Sequence, residues 1–178
     1  MTRRLLALLV LPLLVLTGCG RPSTVDSGAI TVIPIGDRKP APDLSGELLD
    51  GTGRFTLTDH AGDVVVVNFW GSWCGPCVAE ADDLEQTYQS TKDDGVTFVG
   101  VNIRDDRDKA LRFAQLRCTY PSIFDPSSRA AIGFAVPPTA TPTTIVIDRQ
   151  ARIAVTVFGP ILRDALEPVL NSLAAENP

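Results

Sequence analysis

The apolar positions fall into two kinds of run. Val64 to Trp70 ("VVVVNFW") and Val96 to Ile103 ("VTFVGVNI") are continuous and rich in β-branched residues, as expected of strands covered on both faces. Between them Val78, Ala81, Leu84 and Tyr88 recur at helical spacing, which predicts an amphipathic helix from Gly75 to about Lys92. Strand, helix and strand in this order imply a right-handed crossover and parallel pairing. Ahead of them, "LSGELLDGTGRFTL" flanks the turn signal Asp50 to Gly53 with apolar segments, the pattern of a hairpin. Ala110, Phe113 and Ala114 suggest a second helix before "YPSIFD", and "TTIVID" and "ARIAVTVF" flank "RQ" as another hairpin. "ILRDALEPVLNSLAA" closes the chain as a helix with Ile161, Ala165, Leu166, Val169 and Leu173 on one side. Pro168 falls inside it, and an interior proline costs about 3 kcal/mol, so a kink or break is expected there. The order β-β-β-α-β-α-β-β-α is that of a single α/β layer domain with mixed strand directions and no internal repeat.

A third kind of run stands apart from this pattern. Arg3 and Arg4 precede Leu5 to Leu16, an apolar stretch shorter than the roughly 20 residues that span a bilayer, so residues 1–18 read as an export signal. It ends in "LTGC", which resembles the lipobox of bacterial lipoproteins. On that reading Cys19 becomes N-terminal and carries a diacylglycerol, and two or more acyl chains anchor durably. The alternative is an ordinary export signal with an incidental cysteine. Gly20 to Pro42 is rich in Pro, Gly and Ser and lacks sustained periodicity. Residues 19–40 are therefore expected to be a flexible tether and residues 41–178 the domain. Such a tether has an end-to-end distance of about 25 Å, and up to about 75 Å when pulled straight. The expected location is the extracytoplasmic face of the cell membrane, held by lipid.

Composition adds two limits. The chain has 178 residues, 44% apolar and 21% charged, in keeping with one globular domain. Its formal charge of −5 becomes −7 once the two arginines of residues 1–18 are removed with no acid among them. No basic groove is evident, so nucleic acid is not an expected partner.

The chemistry centres on "NFWGSWCGPCVAE", Asn68 to Glu80, where Cys74 and Cys77 stand three positions apart at the end of the first strand run. Open α/β sheets form their sites at that end. A zinc site needs more ligands than Cys74, Cys77, a distant Cys118 and the single His60 provide, so no metal is expected. A structural staple across so short a loop removes little unfolded-chain entropy. A redox dithiol has a mechanism. If Gly75 opens the helix, the sulfur of Cys74 faces the unpaired N–H groups of the first turn, which stabilise a thiolate. Pro76 then sits where its missing N–H is not needed. A thiol lowered from about 8.5 to about 7 is roughly half ionised at neutrality. Turning the helix by about 100° per residue puts Cys77 in the apolar stripe. The expectation is an exposed attacker and a buried partner that resolves the mixed disulfide.

"FWGSWCGPC" resembles the active site of the thioredoxin superfamily, and the chain from about Ala41 to Leu173 is similar to its membrane-tethered TlpA/ResA-like branch. The leading hairpin, "FVGVNI" and "TPTTIVID" followed by "ARI" all take part. The resemblance implies a thioredoxin-like fold, with a central mixed sheet, flanking helices and an N-terminal β-hairpin. It implies that Cys74 attacks, that Cys77 resolves and that the two form a reversible disulfide. It further implies that Trp73 shields the dithiol, that Pro142 is a cis-proline beside it, with Pro137 and Pro138 as trans loop residues, and that the backbone of Thr141 offers an edge to a partner's extended segment. Two departures stand out. Asn68 occupies the place of the buried Asp of cytosolic thioredoxins. Asp82 replaces a helix proline common in the family. Glu80 matches the acid that the branch carries after its second cysteine. At the border of the apolar stripe, partial burial is expected to raise its pKa into a range useful for shuttling protons to Cys77; the alternative is an exposed helix carboxylate.

The other reactive residues carry blander readings: Cys118 as a buried inert thiol, His60 as a loop decoration, and Asp82, Asp83, Asp93 and Asp94 as a solvated helix face. The function implied is an exported thiol-disulfide oxidoreductase needing no cofactor. Its partners would be protein disulfides, apocytochrome c first among them, and a CcdA/DsbD-like electron donor in the membrane. A general reductant or oxidant of exported proteins is the alternative within the same chemistry. A peroxiredoxin-type peroxidase is disfavoured by Gly71 where a threonine is expected. A Sco-type copper chaperone shares the fold but uses C-x-x-x-C and a histidine distant from the pair, and here His60 precedes it.

Overall fold

The computed structural model describes residues 28–176. Along the chain run β1 (Ala29–Val32), β2 (Ser45–Glu47), β3 (Arg54–Thr56), a short 3-10 turn (Leu57–His60), β4 (Val64–Trp70), α1 (Gly75–Thr91), β5 (Val96–Ile103) and α2 (Arg107–Arg117). They are followed by β6 (Ser122–Asp125), α3 (Arg129–Gly133), β7 (Thr143–Ile147), β8 (Ile153–Phe158) and α4 (Arg163–Ala174). Six strands form one sheet in the order β1-β8-β7-β4-β5-β6, and β2 and β3 form a separate hairpin. β5 and β6 run parallel to β4, whereas β7 is antiparallel to it and β1 and β8 pair antiparallel. This is the mixed sheet with a leading hairpin that the resemblance implies.

β4 explains why the sheet is central. All seven of its residues are buried, because its alternate side chains feed opposite layers. Val65, Val67 and Phe69 pack with Leu44, Phe55, Ile123 and Phe134 on one face. Val64 and Val66 pack with Leu84 of α1 and with Leu166, Leu170 and Leu173 of α4 on the other. Period-two alternation therefore places Asn68 on the α1 face. Each large apolar side chain buried in these layers contributes about 1.5–3 kcal/mol.

The expected tether is corrected from residue 28 onward. Ala29 to Val32 pairs with Val155 to Phe158 as an edge strand, Ile30 packs against the core, and Pro40 bridges Arg152. Arg38 is buried in contact with Asp148, at 3.1 Å, and Glu176, at 2.6 Å. Chain composition suggested a linker, but the short "AITV" segment supplies the sheet's edge, and the ion pairs of Arg38 secure the stretch between that edge and β2. The signal, Cys19 and the rest of the expected tether lie outside the described residues.

Three further elements differ from expectation. "SIFD" forms β6 beside β5, and α3 comes after it. The last helix begins at Arg163, after Ile161, and runs unbroken through Pro168. Pro168 lies on its exposed face, where the carbonyl deprived of an N–H partner can turn to water.

Candidate active site

The end of β4 and the start of α1 are joined by Gly71, Ser72 and Trp73. Gly71 is required by packing, since a Cβ there would lie 2.4 Å from Nε1 of Trp73. Ser72 is held by Asp105, whose carboxylate accepts from its N–H and, at 2.8 Å, from its hydroxyl. Burial pushes the Asp105 carboxyl up, but the donors on Asn102, Ser72 and Asp106 outweigh it and hold the group below its ordinary value. Asp105 is a site residue that the sequence pattern did not single out. Its only signal is its place just past the carboxyl end of β5.

Cys74 is the N-cap of α1, with extended φ and ψ of −92° and 107°, and the N–H of Cys77 donates to its Sγ at 3.2 Å. Gly75 and Pro76 are the first residues of the helix, so the local geometry is the one expected. The two cysteines are joined as a disulfide. Each is only 3% exposed, which corrects the expectation of an exposed Cys74. Its sulfur sits 3.6 Å from the Thr141 carbonyl oxygen, and the pair packs with Leu49, Trp70 and Ala110.

The second wall is the segment before β7. The Thr141–Pro142 peptide is cis, as expected, and is the only cis bond among the described residues. The carbonyl of Pro142 accepts from Gly159 N–H at 2.9 Å. Trp73 is 51% exposed, donates from Nε1 to the Ile103 carbonyl at 3.3 Å, and lies beneath the guanidinium of Arg104, 4.9 Å from its ring centroid. Arg104 Nη2 also donates to Thr141 Oγ1 at 2.9 Å.

Glu80 is more deeply placed than the helix angle suggested, at 1% exposure rather than partial burial. One carboxylate oxygen accepts from Asn68 Nδ2 at 2.9 Å and the other from Ile161 N–H at 3.0 Å. Asn68 also donates to Thr144 Oγ1 at 3.1 Å. Burial raises the Glu80 pKa to about 7 against the pull of these two donors, with Asp83 adding a smaller push upward. The carboxyl lies one helical turn beyond Cys77. Beside them is a cavity of only about 10 Å³ lined by Asn68, Trp70, Cys77, Ala81, Leu84, Phe113 and Tyr120. A group that can hold or release a proton near neutrality is thus enclosed on the buried side of the disulfide.

The remaining candidates fall outside this cluster. Cys118 ends α2 half-buried, with its Sγ 3.5 Å from the Tyr120 hydroxyl, and burial pushes its thiol up to about 11. His60 stacks on Phe55 with centroids 4.8 Å apart, ahead of β4 and so at the opposite end of the sheet. A hollow of about 380 Å³ lies there, far from the cysteines. Among the described residues no group of three or more His, Cys, Asp or Glu is placed to hold a metal ion. Two acids of α1 are engaged rather than merely solvated. Asp82 pairs with Arg117 at 2.7 Å, and Asp83 accepts from the N–H of Arg163 at the start of α4.

Comparison with known proteins gives this arrangement a family. The AhpC/TSA family profile matches residues 38–156. The thiol:disulfide interchange protein HelX of Rhodobacter capsulatus is 33% identical over 140 residues, covering 77% of this chain and 76% of that protein. The thiol-disulfide oxidoreductase ResA of Geobacillus thermodenitrificans is 28% identical over 144 residues, covering 80% of each. The crystal structure of a secreted thiol-disulfide isomerase from Corynebacterium glutamicum superposes with a TM-score of 0.79 at 34% identity, covering 83% of this chain and 92% of that one. The chain therefore belongs to the AhpC/TSA family, and within it to the thioredoxin-like thiol-disulfide oxidoreductases.

Proposed function

We propose that this oxidoreductase works outside the cytoplasm as a reductant of protein disulfides, with Cys74 as the attacking and Cys77 as the resolving sulfur. The observation that carries the reading is the Cys74–Cys77 disulfide at the first turn of α1, set against cis-Pro142 with Glu80 buried behind it. In the dithiol form, the Cys77 N–H and the end of the helix favour a Cys74 thiolate. That thiolate attacks one sulfur of the client's disulfide, forming a mixed disulfide and releasing the other client sulfur as a thiolate. Cys77 gives up its proton to Glu80 and attacks Cys74. The internal disulfide forms, the second client thiolate departs, and two electrons have passed to the client. Glu80 serves as the proton acceptor because it changes charge within about one unit of neutral pH.

Gly75 and Pro76 bring no charge that would further stabilise the reduced form. The couple is therefore placed near thioredoxin's value of about −270 mV rather than the value of about −120 mV of a strong oxidant. A measured potential above about −180 mV would reverse the direction. Apocytochrome c is the client suggested by the TlpA/ResA-like resemblance, since its C-x-x-C-H cysteines must be reduced before haem attaches. A CcdA/DsbD-like donor would restore the dithiol, and a lipid on Cys19 would keep the protein at the membrane. Expression of Cys77→Ser in cells should trap a client on Cys74, and mass spectrometry of the captured protein identifies it. Capture of exported proteins without cytochromes among them would favour the general reductant. Cys74 of the reduced protein should react with iodoacetamide at neutral pH several-fold faster than a simple thiol, and equal rates would remove the thiolate from the mechanism.

A further inference from the structure

Arg104 follows the last residue of β5 with φ of +51°, backbone that suits glycine or asparagine better than a long side chain. The side chain there turns back across the active site. Its guanidinium covers Trp73 and donates to Thr141, so it bridges the two residues that flank the disulfide. Arg104 is exposed, and among the described residues it forms no ion pair, although the chain is acidic. The neighbouring acids are engaged elsewhere: Asp105 holds Ser72 and Asn102, and Asp106 accepts from Lys109 N–H at the start of α2. Next to Arg104 lies a groove of about 280 Å³ walled by Ile103, Pro126, Ile132, Val136, Pro137 and Pro138. Ile132 is 72% exposed at its rim. None of the steps of disulfide exchange uses this cation or this groove.

We infer that Arg104 is a specificity residue, which pairs with an Asp or Glu side chain beside the client's own disulfide while an apolar neighbour of that residue occupies the groove. The inference rests on the proposed reading that the client is a disulfide-bonded polypeptide. Its physical basis is the open face of the guanidinium fork. The contact with Trp73 and the bond to Thr141 hold the group in place, and because Arg104 is exposed its remaining N–H donors are open to a carboxylate, which can accept two parallel bonds from a guanidinium. A client strand lying along Thr141 would bring its flanking side chains within reach of that fork. The chain's net negative charge would otherwise repel acidic segments, so a single cation placed here selects them locally.

The test uses the reduced full chain and short peptides closed by one disulfide, with Glu, Gln or Lys before or after the attacked cysteine. Second-order rates are read from the change in Trp fluorescence on oxidation. In the unaltered protein one Glu peptide should react about tenfold faster than its Gln counterpart. Arg104→Met should level the two, and Arg104→Glu should turn the preference toward Lys. Each rate is divided by the same protein's rate with a small uncharged disulfide, which removes any change in the reactivity of Cys74 that is common to all substrates. Equal rates for Glu and Gln in the unaltered protein, or a Glu preference that survives Arg104→Met, would overturn the assignment. A uniform slowing of every substrate by Arg104→Met, the small disulfide included, would make Arg104 structural and overturn it too. If no peptide is reduced at all, the reductase reading itself fails and takes this one with it. Reduction without a charge preference sinks this one alone.

Discussion

Glu80 meets two hydrogen-bond donors in an enclosed site. Its carboxyl is stabilised as an anion by Asn68 and Ile161, yet burial dominates and the proton is held to about pH 7. The folded chain therefore keeps a proton that the unfolded chain loses near the ordinary value of 4.5. Stability should fall as pH rises from about 4.5 to about 7 and level off above, a change on the order of 3 kcal/mol. Urea unfolding of the oxidised protein at pH 5 and pH 8 measures this, and Glu80→Gln should flatten the difference. The amide replaces one acceptor by a donor, so Asn68 must turn its own amide to match. The same variant should also remove a step near pH 7 from the rate at which Cys77 resolves mixed disulfides. The cysteine pair and the place of Glu80 along α1 were legible because spacing within one helix fixes them. The depth of Glu80 was not, because the lid over it is the Pro160–Ile161 peptide, far along the chain. Arg104 and Asp105 were equally hidden. They matter only because β5 ends beside the Ser72 loop.

At the scale of elements, continuous apolar runs announced β4, β5 and β7, and helical spacing announced α1, α2 and α4. The strands that escaped are short edges. β1 has four residues, three of them exposed, so neither run length nor alternation separates it from a linker. Its worth can be measured by comparing chains that begin at residue 28 and at residue 33. Loss of the strand and of the Ile30 contact should lower stability by about 2 kcal/mol, whereas a tether would be removed without effect. Pro168 is the opposite case, a signal read as a break that packing overrides. Leu166, Leu170 and Leu173 hold α4 against the sheet on both sides of it. Pro168→Ala restores one backbone hydrogen bond at an exposed position and should stabilise the fold by about 2 kcal/mol, visible as a higher urea midpoint with unchanged slope.

For the molecule as a whole, the most buried ion pairs lie at the end remote from the disulfide. Arg38 and Arg152 converge on Asp148, and Arg38 also reaches Glu176 beyond α4, which ties the first and last described elements to the β7–β8 turn. Burial pushes the Asp148 carboxyl up, but hydrogen bonds from Arg152 and Arg38 prevail and hold it below its ordinary value. This stability is present above the unfolded carboxylate range and is lost as pH falls through the folded value. Arg38→Ala leaves Asp148 buried without that partner and should cost on the order of 3 kcal/mol at neutral pH, with a smaller penalty in acid, where the carboxyl is protonated. The opposite pole carries the first described residue. Gly28 N–H donates to the Pro160 carbonyl, and the same peptide's N–H holds Glu80, while neighbouring Gly159 bonds Pro142. A support grafted at Gly28 of a chain that begins there would consequently stand beside the disulfide, whereas one grafted at Glu176 would stand at the far pole. Electrode films prepared in these two orientations should differ in how large a partner can be turned over, even when their voltammetric waves coincide.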